Sequence, residues 1–175
     1  MSDSMLTIEQ RLRAIEDRAA ITELLYVIAS GIDRYDGPAL QIAIAPDAVL
    51  DMGGETPMTG AAFAAGLRAP ATPRPGRMHV VSNAIIQLDG DVACAESQIV
   101  SWQDQMLDDE QVTRVRAGRY LDRFVRSNAG WQLSARTLID EWARIDPVDR
   151  TPPQGSNLAR PAPDDLRYAH LKARA

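Results

Sequence analysis

One histidine and one aspartate, far apart in the chain, are the side chains best suited to do chemistry. His79 sits in an otherwise apolar run, Met78-His79-Val80-Val81-Ser82-Asn83-Ala84-Ile85-Ile86, and the other histidine, His170, lies near the C-terminus. Asp33 ends the stretch Leu24-Leu25-Tyr26-Val27-Ile28-Ala29-Ser30-Gly31-Ile32-Asp33. Imidazole takes up and returns protons near neutral pH. A carboxylate behind it fixes the tautomer and stabilises the imidazolium, so the two together form a general base. Only the fold can bring these two residues together. An acid at a helix C-terminus faces the negative end of the helix dipole, so Asp33 needs a reason other than helix stability.

Other chemistries lack their parts. Two histidines and the single cysteine, Cys94, cannot assemble a standard zinc set, so no metal is expected. The chain has no phosphate-binding lysine loop and no G-x-G-x-x-G, and nothing in it implies an organic cofactor. Several residues could line a site around His79. Tyr26 lies two helical turns before Asp33 and is expected on the same helix side. Asn83 lies four residues after His79, which strand alternation places on the same face. Tyr120 could offer a phenolic donor or simply pack. Arg136, between Ala135 and Thr137, reads from its strand alone equally as a site residue or a surface arginine.

The elements that must position these residues are legible in the hydropathy pattern. Residues 7–33 read as a helix, with Ile8, Leu12, Ile15, Ala19, Ile21 and Leu25 recurring at spacings of mostly three and four, and with Thr7 and Gln10 as a capping box. Tyr35-Asp36-Gly37-Pro38 breaks it, and a short helix follows over 38–44. A first strand covers 48–52 and a small alanine-rich helix 59–68; a proline-rich loop spans 70–76. Four long strands follow, over 78–88, 92–103, 111–126 and 131–144, joined by Asp89-Gly90-Asp91, Asp108-Asp109-Glu110 and Ser127-Asn128-Ala129-Gly130. Helices first and an antiparallel meander after imply an α+β fold with helices on one face of a curved sheet. The domain is expected over 1–146. A proline-rich tail occupies 147–175, with a docking helix near 164–171 at a pocket mouth.

Bulk composition narrows the partners. The chain has 175 residues and a formal net charge of −5, with its arginines dispersed, which argues against a nucleic-acid surface. No apolar run approaches the roughly 20 residues needed to span a membrane. Residues 1–20 are charged throughout, unlike a signal peptide, and the lone cysteine fits a reducing cytoplasm. The long strands carry apolar residues at both parities, for example Leu133 and Leu138. The helices can cover one sheet face only, so a homo-oligomer, dimer or trimer, is expected through the other.

Four passages in this order resemble the SnoaL-like branch of the nuclear transport factor 2 (NTF2)-like superfamily: Ala20–Tyr26 running to Gly31-Ile32-Asp33-Arg34; Ala45-Pro46-Asp47-Ala48-Val49-Leu50-Asp51; Met78-His79-Val80-Val81-Ser82-Asn83; and Gly118-Arg119-Tyr120-Leu121-Asp122-Arg123-Phe124 with Gly130-Trp131 and Asp140-Glu141-Trp142. The resemblance implies a cone-shaped curved antiparallel sheet with N-terminal helices enclosing an apolar pocket. Members resembling the chain at Asp33 and His79 include scytalone dehydratase and hexachlorocyclohexane dehydrochlorinase, in which the histidine is the base and the aspartate orients it. The place of the dehydrochlorinase's pocket arginine falls on Arg136. Its pocket lysine has no counterpart, because Ala29 and Ser30 occupy that region. The expectation is a cofactor-independent lyase for a small, largely apolar cyclic or aromatic substrate, acting by elimination of water or halide or by retro-aldol cleavage releasing an aldehyde. An isomerase or cyclase of steroid or polyketide type, and a non-catalytic ligand-binding module, remain the alternatives.

Overall fold

The structure is a computed structural model and describes residues 6–69, 76–148 and 155–172. Helix α1 (Ile8–Asp33) opens with the expected capping box: the Thr7 hydroxyl accepts from the Gln10 N–H at 3.2 Å, and Gln10 Oε1 accepts from the Thr7 N–H at 2.8 Å. Its second half buries Ile21, Leu25, Ile28 and Ile32, spaced four, three and four apart. Its first half does not follow the expected apolar stripe into the core: Ile8, Leu12 and Ile15 are exposed. Helix α2 (Gly37–Ala43) is capped by the Asp36 carboxylate on the Ala39 N–H at 3.1 Å, with Pro38 in its first turn.

The chain then enters β1 (Ile44–Asp51), β2 (Met58–Thr59), α3 (Gly60–Gly66), and four long strands: β3 (Arg77–Asp89), β4 (Val92–Leu107), β5 (Glu110–Ser127) and β6 (Gly130–Pro147). The sheet is open and curved, in the order β2-β1-β6-β5-β4-β3. The expected meander β3 to β6 is antiparallel throughout, whereas β1 pairs with β6 in parallel, because the chain between them traverses the rest of the sheet. Bulges bend the long strands. At one, between Ala117 and Gly118, a β-carbon on Gly118 would lie 2.0 Å from the Ile139 carbonyl oxygen, so only glycine fits.

The main core lies between the helices and the inner sheet face, where Ile21, Leu25, Ile28, Leu40, Ile44, Leu50, Phe124 and Leu133 are all at 2 % exposure or below. A smaller cluster of Ile99, Tyr120 and Leu138, with Met52 and Val81 against it, continues along the same face. After the main sheet, the chain returns over the end of α1. The Ala162 N–H donates to the Arg34 carbonyl at 2.7 Å, Asp165 pairs with Arg34 at 3.4 Å, and the Tyr168 hydroxyl donates to Asp36 at 2.7 Å. Helix α4 (Leu166–Lys172) ends this segment, and Arg167 donates to the Ser30 hydroxyl. The docking helix read from the sequence therefore rests on the turn that carries Asp33.

Candidate active site

The last residue of α1 and the third residue of β3 meet. Asp33 Oδ1 and His79 Nδ1 are 2.6 Å apart, and Asp33 Oδ2 accepts the His79 backbone N–H at 3.0 Å. Both side chains are nearly enclosed, at 13 % and 5 % exposure. With Nδ1–H donating to the carboxylate, Nε2 carries the lone pair of a neutral imidazole. That lone pair is already met. The Gln103 amide nitrogen, which can only donate, lies 3.1 Å from Nε2. Asp33, His79 and Gln103 thus form one directed chain of hydrogen bonds.

His79 lines a small cavity with Met52, Ile99, Ser101, Gln103, Arg116, Tyr120 and Leu138. Its free volume is about 30 Å³, on the scale of a single water. Met52, Ile99 and Leu138 make the apolar wall. Tyr120 is 3 % exposed, and burial is the leading cause that pushes its phenol up from the ordinary value, so it stays a neutral donor. Arg116 donates to both oxygens of Asp140 and, at 3.2 Å, to the Met52 carbonyl. The hydrogen bond to Asp140 holds the guanidinium above its usual value, and the same contact holds the Asp140 carboxyl below its own.

Three expected site residues stand elsewhere. Asn83 does not share the His79 face. The register shifts between Ser82 and Ile85, Asn83 takes φ 51°, and its amide bonds Gln98 at 2.8 Å on the exposed side. Simple alternation fails there because the bulge inserts a residue. Tyr26 is 51 % exposed and is not among the residues lining the cavity. Its helix side faces solvent at that turn, although Asp33 two turns on faces the sheet. Arg136 does point inward, at 4 % exposure, but its guanidinium makes two bonds of 2.8 and 2.7 Å to Asp122 and stacks on the Tyr120 ring at 3.8 Å. Burial opposes its charge, and the Asp122 carboxylate outweighs that, leaving it above its usual value. It supports Tyr120 from behind rather than lining the His79 cavity.

Sequence reasoning missed Gln103, Ser101, Arg116 and Met52. A signal existed for two of them. Along β4 the inward positions run Ala95, Ser97, Ile99, Ser101, Gln103, so the apolar parity becomes polar toward one end. Only the strand register shows that this end meets His79.

A concavity of about 490 Å³ lies on the opposite sheet face among Ile85, Cys94, Leu121, Arg123 and Thr137. It contains no histidine base. Among the described residues no three His, Cys, Asp or Glu side chains converge as metal ligands would, and no helix is long and apolar enough to cross a membrane.

A helix-closed, bulge-bent sheet with a histidine–aspartate pair at its inner end defines the class. Residues 13–137 match the SnoaL-like domain, and the chain belongs to that family. Among solved structures, it is similar to a hexachlorocyclohexane dehydrochlorinase, LinA type 3, from Novosphingobium barchaimii (16 % identity, TM-score 0.68, covering 82 % of this chain and 99 % of that one). It is also similar to a Novosphingobium aromaticivorans protein provisionally named scytalone dehydratase (18 %, TM-score 0.66, 82 % and 97 %). A third is an NTF2-like protein with a cystatin-like fold from Novosphingobium aromaticivorans (25 %, TM-score 0.58, 79 % and 90 %). No curated protein sequence matches the chain.

Proposed function

We propose that the chain is a cofactor-independent lyase in which His79 is the general base and Asp33 its orienting carboxylate. The observation that carries this reading is the 2.6 Å contact between Asp33 and His79 Nδ1, in a cavity that Met52, Ile99 and Leu138 wall on one side. Nε2 would take a proton from carbon or from a hydroxyl of a small, largely apolar cyclic or aromatic substrate. The electron pair released expels halide, or hydroxide that leaves as water with the proton returned by the imidazolium. After deprotonation of a hydroxyl it breaks a carbon–carbon bond, releases an aldehyde and leaves a carbanion that the imidazolium protonates. Positioned general base catalysis contributes on the order of 10²–10⁴-fold. Tyr120 and Arg116, which line the same cavity, would stabilise the charge that develops, and Asp33 would offset the imidazolium.

Substrate must displace Gln103 from Nε2. The amide is then left beside the reacting atom with its N–H groups free, where it can bond the substrate instead. A purely structural dyad is favoured by one observation, the roughly 30 Å³ of free space beside His79. Rotation of Gln103 and Arg116 is the opening that the catalytic reading requires.

The outer sheet face, where Met78, Val80, Ile85, Leu121 and Trp142 are each more than 40 % exposed, supports a homo-oligomer built through it. The function is tested by a metabolite screen for loss of mass, run with the wild type and with His79→Ala. Turnover by the wild type alone is expected. Equal turnover by both would refute the reading.

A further inference from the structure

The inner face at the end of the sheet carries three arginines in two adjacent cross-strand rows. In one row His79 pairs with Ser101, and Ser101 with Arg116. In the next, Arg77 pairs with Gln103, and Gln103 with Arg114. Directly paired residues share a sheet face, so Gln103, which touches His79 Nε2, fixes the face of both its neighbours. The guanidinium of Arg77 lies over the Tyr35 ring at 4.7 Å on the helix side of the sheet, and its buried Nε makes no hydrogen bond.

The carboxylates near these rows are already engaged. Asp33 holds His79, and Asp140 holds Arg116. Among the described residues neither Arg77 nor Arg114 has an ion pair of its own, and Arg114 acts on Asp140 only through space. A chain with a net charge of −5 therefore places three arginines in the two rows at His79. Stability does not call for that arrangement, because like charges in neighbouring rows repel. Asp140 is 42 % exposed, so its carboxylate can give up Arg116 to a ligand carboxylate and return to water at little cost.

We propose that the site takes substrates bearing a carboxylate, held by Arg116 together with Arg114 and Arg77, with the rest of the molecule against Met52, Ile99 and Leu138. This rests on the reading of His79 as the base and narrows its substrate class to apolar acids. A planar guanidinium fork matches a carboxylate in two parallel bonds, which fixes the orientation of the substrate as well as its charge. The carboxylate end enters in the Arg77–Gln103–Arg114 row. Gln103 is drawn off Nε2 toward it, and the adjoining carbon or hydroxyl comes to the base.

The test is a titration of the whole chain with benzoate and with benzamide, its uncharged isostere, followed by NMR of the histidine ring nitrogens. The exposed His170 serves as the internal control. Benzoate is expected to move the His79 signals and not those of His170, and benzamide to bind about tenfold more weakly or worse. Arg116→Gln and Arg114→Gln are each expected to weaken benzoate by about tenfold and to leave benzamide unchanged. Equal binding of the two probes, no response of His79 to benzoate, or full benzoate affinity in both variants would overturn the inference. Turnover of uncharged compounds only, lost in His79→Ala, would overturn the carboxylate site and keep the base. Arginine-dependent benzoate binding, with no compound turned over through His79, would keep the carboxylate site and remove the base.

Discussion

Asp33 grips His79 at two points, the ring through Oδ1 at 2.6 Å and the backbone N–H through Oδ2 at 3.0 Å. A carboxylate bonded to the backbone cannot rotate away from the ring without losing both contacts. The grip explains why an acid is tolerated at the unfavourable end of α1. Asp33→Asn is expected to fold and to lose about tenfold or more in kcat/KM. An amide can satisfy the backbone N–H, but it does not stabilise an imidazolium. Unchanged kcat/KM in a correctly folded variant, measured on any compound the screen finds, would show that Asp33 only ties α1 to β3.

Gln103→Leu removes the donor that covers Nε2. If the amide bonds substrate once displaced, kcat falls in this variant. If it is only a cap, KM falls and kcat is kept, because nothing competes for the base. Steady-state kinetics separates the two outcomes, and a variant with neither constant changed would remove Gln103 from the site.

Arg136 is expected to matter for stability before catalysis. Arg136→Met leaves Asp122 charged and buried without its partner, which should cost about 3–5 kcal/mol. The double variant Arg136→Met/Asp122→Leu should recover much of that loss. Urea melts decide it: a single variant as stable as the wild type would show that the pair is idle in folding.

Asp17 gives the fold an acid-sensitive anchor. It accepts from Arg126 at 2.6 Å and from the Trp131 indole at 3.1 Å. Burial alone would raise its pKa, but these hydrogen bonds prevail and hold the carboxyl below its usual range. A carboxyl depressed in the folded state stabilises above its unfolded pKa, and that contribution is lost as pH falls through the folded value. Asp17→Asn should cost about 2 kcal/mol near neutral pH, with the gap to the wild type closing in acid. A gap independent of pH would show that the charge is not what holds α1 to β5 and β6.

Much of this was legible in the sequence, for physical reasons that differ by element. α1 announced itself through the Thr7–Gln10 box, and the four long strands through their turn residues. The Asp33–His79 pair followed from the resemblance and from the oddity of an acid ending a helix. What failed depended on register. The Asn83 bulge cannot be seen in a pattern of alternate residues, and the parallel pairing of β1 with β6 joins segments far apart in the chain. Arg136 read equally as site or surface because a buried partner such as Asp122 is invisible until β5 and β6 are aligned. Gln103 and Arg116 were missed for the same reason: their strands name them only as polar.

The role of His79 is tested most directly by kcat/KM for the wild type and His79→Ala on a compound identified by mass loss, with circular dichroism confirming that both are folded. Removal of the base should lower kcat/KM by on the order of 10²–10⁴-fold. Near-wild-type turnover by folded His79→Ala would contradict the assignment of His79 as the base.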